Sequence, residues 1–261
     1  MAYYLDLYGH FMAQQFKSRL EYQASFIIAG VATILQQAAS LLTLWVVMGR
    51  IPTLAGWTLP EMLLLYGLMS LSRSLNQMFA DGPWGLSGYV QNGGFDRFLV
   101  RPLDPLYHLL ANYFNADGLG NLLTGLILVV SAGGSLGVFA SPFNVAYAVV
   151  AVLSGAVIFT ALSIITCTAA FWIIDALAAT ALVFENHRFA YFPLTIYPRG
   201  FIVALTWIIP YGFASYYPAA FLLGRDVGVL AWLGPVIAAG LAVLSYQVWL
   251  FGLRHYQGTG S

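Results

Sequence analysis

The chain has 261 residues but only ten basic and ten acidic side chains, so 8% of it is charged while 60% is hydrophobic; a soluble domain carries about 25% charge. Mean hydropathy is +0.79 and net charge zero, which excludes a cytosolic enzyme, a disordered protein and a nucleic-acid binder. One cysteine, Cys167, excludes an internal disulfide and a cysteine-ligated metal site. The class left is an all-α polytopic membrane protein, with room for six crossings.

Residues 1–21 lack the basic start, apolar core and cleavage site of a signal peptide. Leu5, Tyr8, Met12, Phe16 and Leu20 recur at steps of three and four, with Asp6, His10, Gln14, Lys17 and Glu21 on another face. This predicts an amphipathic helix lying along a membrane surface. Apolar runs then predict transmembrane helices over about 22–48, 61–80, 106–131, 143–174, 199–215 and 228–251. The Gly/Pro cluster at 132–142 splits the uncharged stretch 118–174 into two of these. Segments 122–130 and 145–153 are apolar on every face, which suits helices in lipid and not the alternating strands of a barrel. Residues 1–257 read as one membrane domain, and 258–261 are set aside as a tail. With the N-terminus inside, Lys17, Arg19, Arg97, Arg101, Arg188, Arg199 and Arg254 are cytoplasmic; Arg50 and Arg225 are outside. That bias predicts an inner (plasma) membrane and both termini in the cytoplasm.

Polar groups inside spans are costly and usually pair or face a cavity. Arg73 in the second span and Asp117 in the third are candidates for an interhelical ion pair or a substrate contact. Asp175 and His108 are read as interfacial. Asn112, Asn115 and Asn121 with Gln36 and Gln37 suit interhelical hydrogen bonds, and Cys167 suits packing. Tyr211, Phe213, Tyr216, Tyr217 and Phe221 form an aromatic group near the outer end, as an interfacial belt or as a gate that stacks on an apolar cation. Gly85-Leu-Ser-Gly88 copies an intramembrane serine-protease signature, but Ser87 falls in a loop and no later span offers a histidine. Glu185-Asn-His187 is an isolated pair without metal-ligand spacing.

The longest inside loop, 81–105, holds three prolines and five glycines before Phe95. Phe95 to Val100 predicts one or two helical turns stopped by Pro102. Phe95, Phe98 and Leu99 form an apolar docking face, with Asp96, Arg97 and Arg101 at its rim. The run Gly94-Phe-Asp-Arg-Phe-Leu-Val-Arg-Pro-Leu-Asp-Pro105 resembles the loop after the second span of type-2 ATP-binding-cassette (ABC) permeases. The likeness is closest to a bacterial subfamily with a Leu-x-Arg-Pro-Leu run at this place. Ile209-Pro-Tyr-Gly-Phe-Ala-Ser-Tyr-Tyr-Pro-Ala-Ala-Phe-Leu-Leu-Gly224 is similar to that subfamily around its fifth span, with Pro210 and Pro218 in register.

The resemblance covers essentially the whole chain. It implies a permease that pairs with an identical or homologous second permease and sits on two cytoplasmic ATPase subunits, which bind ATP and Mg. It implies that residues 95–101 and the N-terminal helix touch those ATPases, that 175–199 is a smaller second contact, and that 210–226 forms short re-entrant outer helices. It further implies export from a bacterial cell. The residues agree on one point: there is no Gly-x-x-x-x-Gly-Lys-[Ser/Thr] loop, and Lys17 is the only lysine, so this chain holds no nucleotide in that manner. It has no cofactor of its own and is not by itself an enzyme. The alternative reading is a secondary transporter or channel that works without an ATPase.

Overall fold

A computed structural model describes residues 2–21, 23–173 and 176–256; Asp175 and the tail 258–261 lie outside the described residues. Among the described residues twelve α-helices are connected by short 3-10 segments and one π turn, and no strand occurs. They are α1 (Ala2–Glu21), α2 (Gln23–Met48), α3 (Leu59–Ala80), α4 (Leu86–Gln91), α5 (Asp96–Leu99), α6 (Pro105–Ala111), α7 (Asp117–Ser135), α8 (Pro142–Cys167), α9 (Ala176–Glu185), α10 (Arg199–Val203), α11 (Tyr216–Leu222) and α12 (Leu230–His255).

Among the described residues four helical stretches are long and apolar enough to cross a membrane: Gly30–Met48, Asp117–Ser135, Pro142–Phe171 and Leu230–His255. The least apolar of the long inner helices, α3, is the best buried. Met62, Leu64, Leu65, Leu68 and Met69 leave almost nothing exposed, and α7 and α8 cover it. Small residues allow this approach: a Cβ on Gly125 of α7 would lie 2.8 Å from Leu71 of α3. Twenty-two residues give α3 a length of about 33 Å, enough to span hydrocarbon. Its Glu61 end and its Asp81 end therefore mark two opposite ends of the bundle.

Two boundaries depart from the sequence expectation. The predicted third span, 106–131, is two helices. Pro105 starts α6, with Asp104 capping it by accepting from the Tyr107 N–H at 2.9 Å. Residues 112–116 then break the helix, and α7 begins at Asp117. Asp117 therefore sits in a first helical turn, where the helix dipole favours a carboxylate, and not in mid-helix.

The second departure is the predicted loop 175–199 and span 199–215. Instead, the chain from Ala176 to Leu222 follows α8 in short pieces. The Thr180 hydroxyl donates to the Cys167 sulfur at 3.7 Å. Phe184 meets Phe159 at 6.2 Å between ring centroids. Ala214 lies so close to Gly155 that a Cβ there would be 2.9 Å from it. Phe221 stacks on Tyr147 at 4.4 Å. Those α8 positions lie about 12, 18 and 30 Å beyond Cys167 at 1.5 Å per residue. Phe184, Ala190, Tyr191 and Leu194 are buried, so this stretch packs against the bundle. Its one α-to-π transition, Ala204–Ile208, closes on an Ile209 N–H to Ala204 carbonyl bond of 2.9 Å before Pro210.

Helix α1 lies across the Asp81 end. Among its described side chains Met12 is buried, while Asp6, His10, Gln14, Lys17 and Glu21 are exposed, as the periodicity predicts. Its aromatic face is partly occupied by protein: Tyr4 and Tyr8 meet Tyr107 at 5.4 and 6.0 Å, and Phe16 meets Phe114 at 5.4 Å.

Candidate functional site

Helix α5 is one turn of four residues, and it sorts its side chains sharply. Phe95 and Phe98 have 0% exposure. Phe95 packs on Phe171, Trp249 and Tyr256 at 5.3, 6.1 and 5.0 Å; Phe98 packs on Tyr89 and His108 at 5.0 and 4.6 Å. Of the expected docking face of Phe95, Phe98 and Leu99, the two rings are buried in the bundle, Phe95 against Phe171 and Trp249 and Phe98 against Tyr89 and His108, and Leu99 is the exposed member. Gly82 lets this layer close, because a Cβ there would fall 1.9 Å from the Leu109 carbonyl oxygen.

What α5 presents outward is Asp96, Arg97, Leu99, Val100 and Arg101, with Val100 82% exposed. The polar members are tied back to the bundle. The Tyr256 hydroxyl donates to Asp96 at 2.9 Å. Arg97 lies over the Tyr89 ring at 4.8 Å. Arg101 is 3.0 Å from the His108 ring nitrogen. His108 itself is buried against Phe98 and Phe11. Sequence reasoning missed Val100. Its signal was there: an apolar residue before Arg-Pro cannot continue the helix that buries Phe95 and Phe98.

A polar cavity of about 490 Å³ opens between α2, α3, α7 and the segment after α9. Helix α2 contributes Thr33, Gln36, Gln37, Ser40 and Thr43; α3 contributes Tyr66, Arg73 and Gln77; α7 contributes Asp117 and Asn121. Glu185, His187, Arg188 and Tyr191 close the far side. A hydrogen-bond relay runs across it. The Tyr66 hydroxyl donates to Gln37 at 2.6 Å, Gln37 donates to Asn121, and Asn121 donates to Gln77 at 2.5 Å. The interhelical role expected of Gln37 and Asn121 is thereby found. Glu185, His187 and Arg188 could not be placed from sequence because 175–199 read as a loop. The uncharged run from Ala176 to Phe184 was the signal that it is helical.

Arg73 and Asp117 do not form the expected ion pair. The Arg73 guanidinium donates to the Asn76 carbonyl at 2.8 Å and lies 4.9 Å from the Phe184 ring and 5.5 Å from the Phe159 ring. Asp117 accepts from the Thr33 hydroxyl at 3.1 Å. The helix break before Asp117 separates them, yet both line the same cavity. Asp81, at the end of α3, accepts from Asn115 at 2.7 Å. Its burial raises its pKa, against the opposing pull of Arg73 and that hydrogen bond.

The aromatic group expected at an outer gate is mostly core. Tyr211, Phe213 and Tyr217 are buried, and Tyr216 and Phe221 are half-buried. Tyr217 shares a 2.7 Å hydrogen bond with Thr206, and Tyr211 stacks on Phe159 at 4.8 Å. As arranged, Tyr211 seats the segment before α11 on α8, and Tyr217 ties α11 to the Ala204–Ile208 turn. Ser87 accepts from Gln91 at 3.1 Å within α4, and Cys167 is buried.

A family model described as ABC-2 family transporter protein matches residues 34–260, well over half of the chain. No curated protein and no solved structure matches it.

Proposed function

The chain belongs to the ABC-2 transporter family, and from that premise we propose that it is the membrane-spanning subunit of an ATP-driven exporter. A permease component works with separate ATPase subunits. In our reading two such ATPases bind ATP and Mg, and this chain pairs with a second permease, identical or homologous, around a translocation path. The reading places the protein in a bacterial inner membrane with six crossings and both termini in the cytoplasm. Residues 176–222 supply the fifth crossing in pieces.

The observation that carries the coupling assignment is the division of labour within α5. Leu99 and Val100 point out of a turn whose Phe95 packs on Phe171 and Trp249 at the ends of α8 and α12, while Phe98 packs on Tyr89 of α4 and His108 of α6. An ATPase pressing on that exposed edge moves α8 and α12 through Phe95, since close-packed side chains transmit displacement. Asp96, Arg97 and Arg101 set register at the rim, where charges contribute specificity more than affinity.

The test is co-purification from native membranes with a tag on this chain. An ATPase subunit is expected to come down with wild type. Leu99→Ser with Val100→Ser, and separately Asp96→Ala with Arg97→Ala, are expected to cut its recovery severalfold or uncouple hydrolysis from transport. Recovery of no nucleotide-binding subunit with wild type sinks the exporter reading. Unchanged assembly and coupling in both double variants removes α5 as the contact.

A further inference from the structure

The cavity between α2, α3 and α7 holds four charged side chains, and they are not equivalent. Glu185 and Arg188 form an ion pair at 2.7 Å, so together they bring no net charge. Among the described residues no carboxylate lies within 4.0 Å of the Arg73 guanidinium, and no cation lies within 4.0 Å of the Asp117 carboxylate. Asp81, the other acid whose charge acts on Arg73, is bonded to Asn115 instead. The amides and hydroxyl of the Tyr66–Gln37–Asn121–Gln77 relay satisfy one another. One cation and one anion are thus left committed only to neutral partners, Asn76 and Thr33.

Both are held in place. Asn76 donates to Thr160 of α8 at 3.1 Å while accepting from Arg73, and two rings flank the guanidinium. Asp117 is fixed in the first turn of α7, its own N–H donating to Asn115 at 3.0 Å. Separated charges inside a membrane-spanning bundle favour a ligand that supplies the missing partner to each. The mouth is bordered by exposed Gln36, Ser40 and Thr43, so entry is polar.

We infer that this cavity binds a zwitterion, with a phosphate or carboxylate against Arg73 and an ammonium against Asp117. The inference rests on the permease reading for its meaning, as a substrate site, but not for its measurement. An aminophospholipid headgroup and a free amino-phosphate share the chemistry.

The full chain in detergent is titrated with lysophosphatidylethanolamine, with anionic lysophosphatidylglycerol, and with soluble glycerophosphoethanolamine, following tryptophan fluorescence. Lysophosphatidylethanolamine is expected to bind at least tenfold more tightly than lysophosphatidylglycerol. Arg73→Gln is expected to lose that binding tenfold or more, with Arg73→Lys restoring part of it. Asp117→Asn is expected to bring the two lipids level. If glycerophosphoethanolamine binds as tightly as the lysolipid and shows the same variant pattern, the ligand is a free amino-phosphate. If it binds far more weakly with the same pattern, the ligand is the lipid. Equal binding of the two lysolipids by wild type, or variant affinities that match wild type, overturns the proposal. Because no ATPase takes part, loss of the exporter reading and loss of this site show up in different experiments.

Discussion

Val100 and Phe98 are two residues apart, apolar and on one short turn, yet one is 82% exposed and the other fully buried. Composition could not separate them. The sequence reading placed the loop, its helical turn and its charged rim, but assigned both phenylalanines to a partner because it could not see Trp249 and Phe171 arriving from elsewhere in the chain. Single substitutions separate the roles. Phe98→Ala empties a packed site and is expected to cost about 3–5 kcal/mol of stability, visible as a lower unfolding temperature in detergent. Val100→Ala touches no neighbour and is expected to stay within about 0.5 kcal/mol of wild type. Comparable losses for the two would mean that α5 is not braced as described.

At the scale of elements, the legible features were those with strong local signals. The start of a helix near residue 106 and the Gly/Pro break before α8 belong to this group. The break at 112–116 carries neither glycine nor proline, so a continuous span was the natural reading of 106–131; α9 was hidden by the charges that follow it. Helix α12 shows how an interior proline is accommodated. Pro235 cannot donate to the Ala231 carbonyl, and the Tyr147 hydroxyl takes that place at 2.6 Å. Helix α2 is held more lightly, because most of its large apolar side chains, including Ile28, Leu35 and Trp45, are exposed. Its polar attachments are the relay through Gln37 and Asn121 and the Thr33–Asp117 bond. Asn121→Leu breaks two of those bonds and is expected to cost about 1–2 kcal/mol. Backbone hydrogen exchange in α2 should then accelerate more than in α8. Equal protection of α2 in variant and wild type would show that the relay does not hold it.

The whole molecule has two chemically different ends, and the proposed orientation rests on their contents. At the Glu61 end of α3, Arg225 donates to Glu61 at 2.9 Å and to the Gly56 carbonyl at 2.8 Å, and lies 4.2 Å from the Trp57 ring. That contact ties the start of α3 to the link between α11 and α12. At the other end lie α1, through the Tyr8 hydroxyl bonded to the Phe79 carbonyl, together with α5, α6 and the end of α12. Lys17, Arg97, Arg101 and Arg254 belong to this second end, Arg50 and Arg225 to the first. Arg188, counted from the sequence as cytoplasmic, lines the cavity and drops out of the comparison, as do Arg19 and Arg199, which none of these contacts assigns to an end. In the proposed exporter the remaining bias is the ground for placing the α5 end on the inner side, with the ATPases. On a Cys167→Ala background, Asp226→Cys and Val100→Cys each add one exposed thiol at opposite ends. A membrane-impermeant maleimide is expected to label Asp226→Cys in intact cells and Val100→Cys only after permeabilisation. The reverse pattern would put α5 outside, and an energy-coupling role for it would then be impossible whatever its packing.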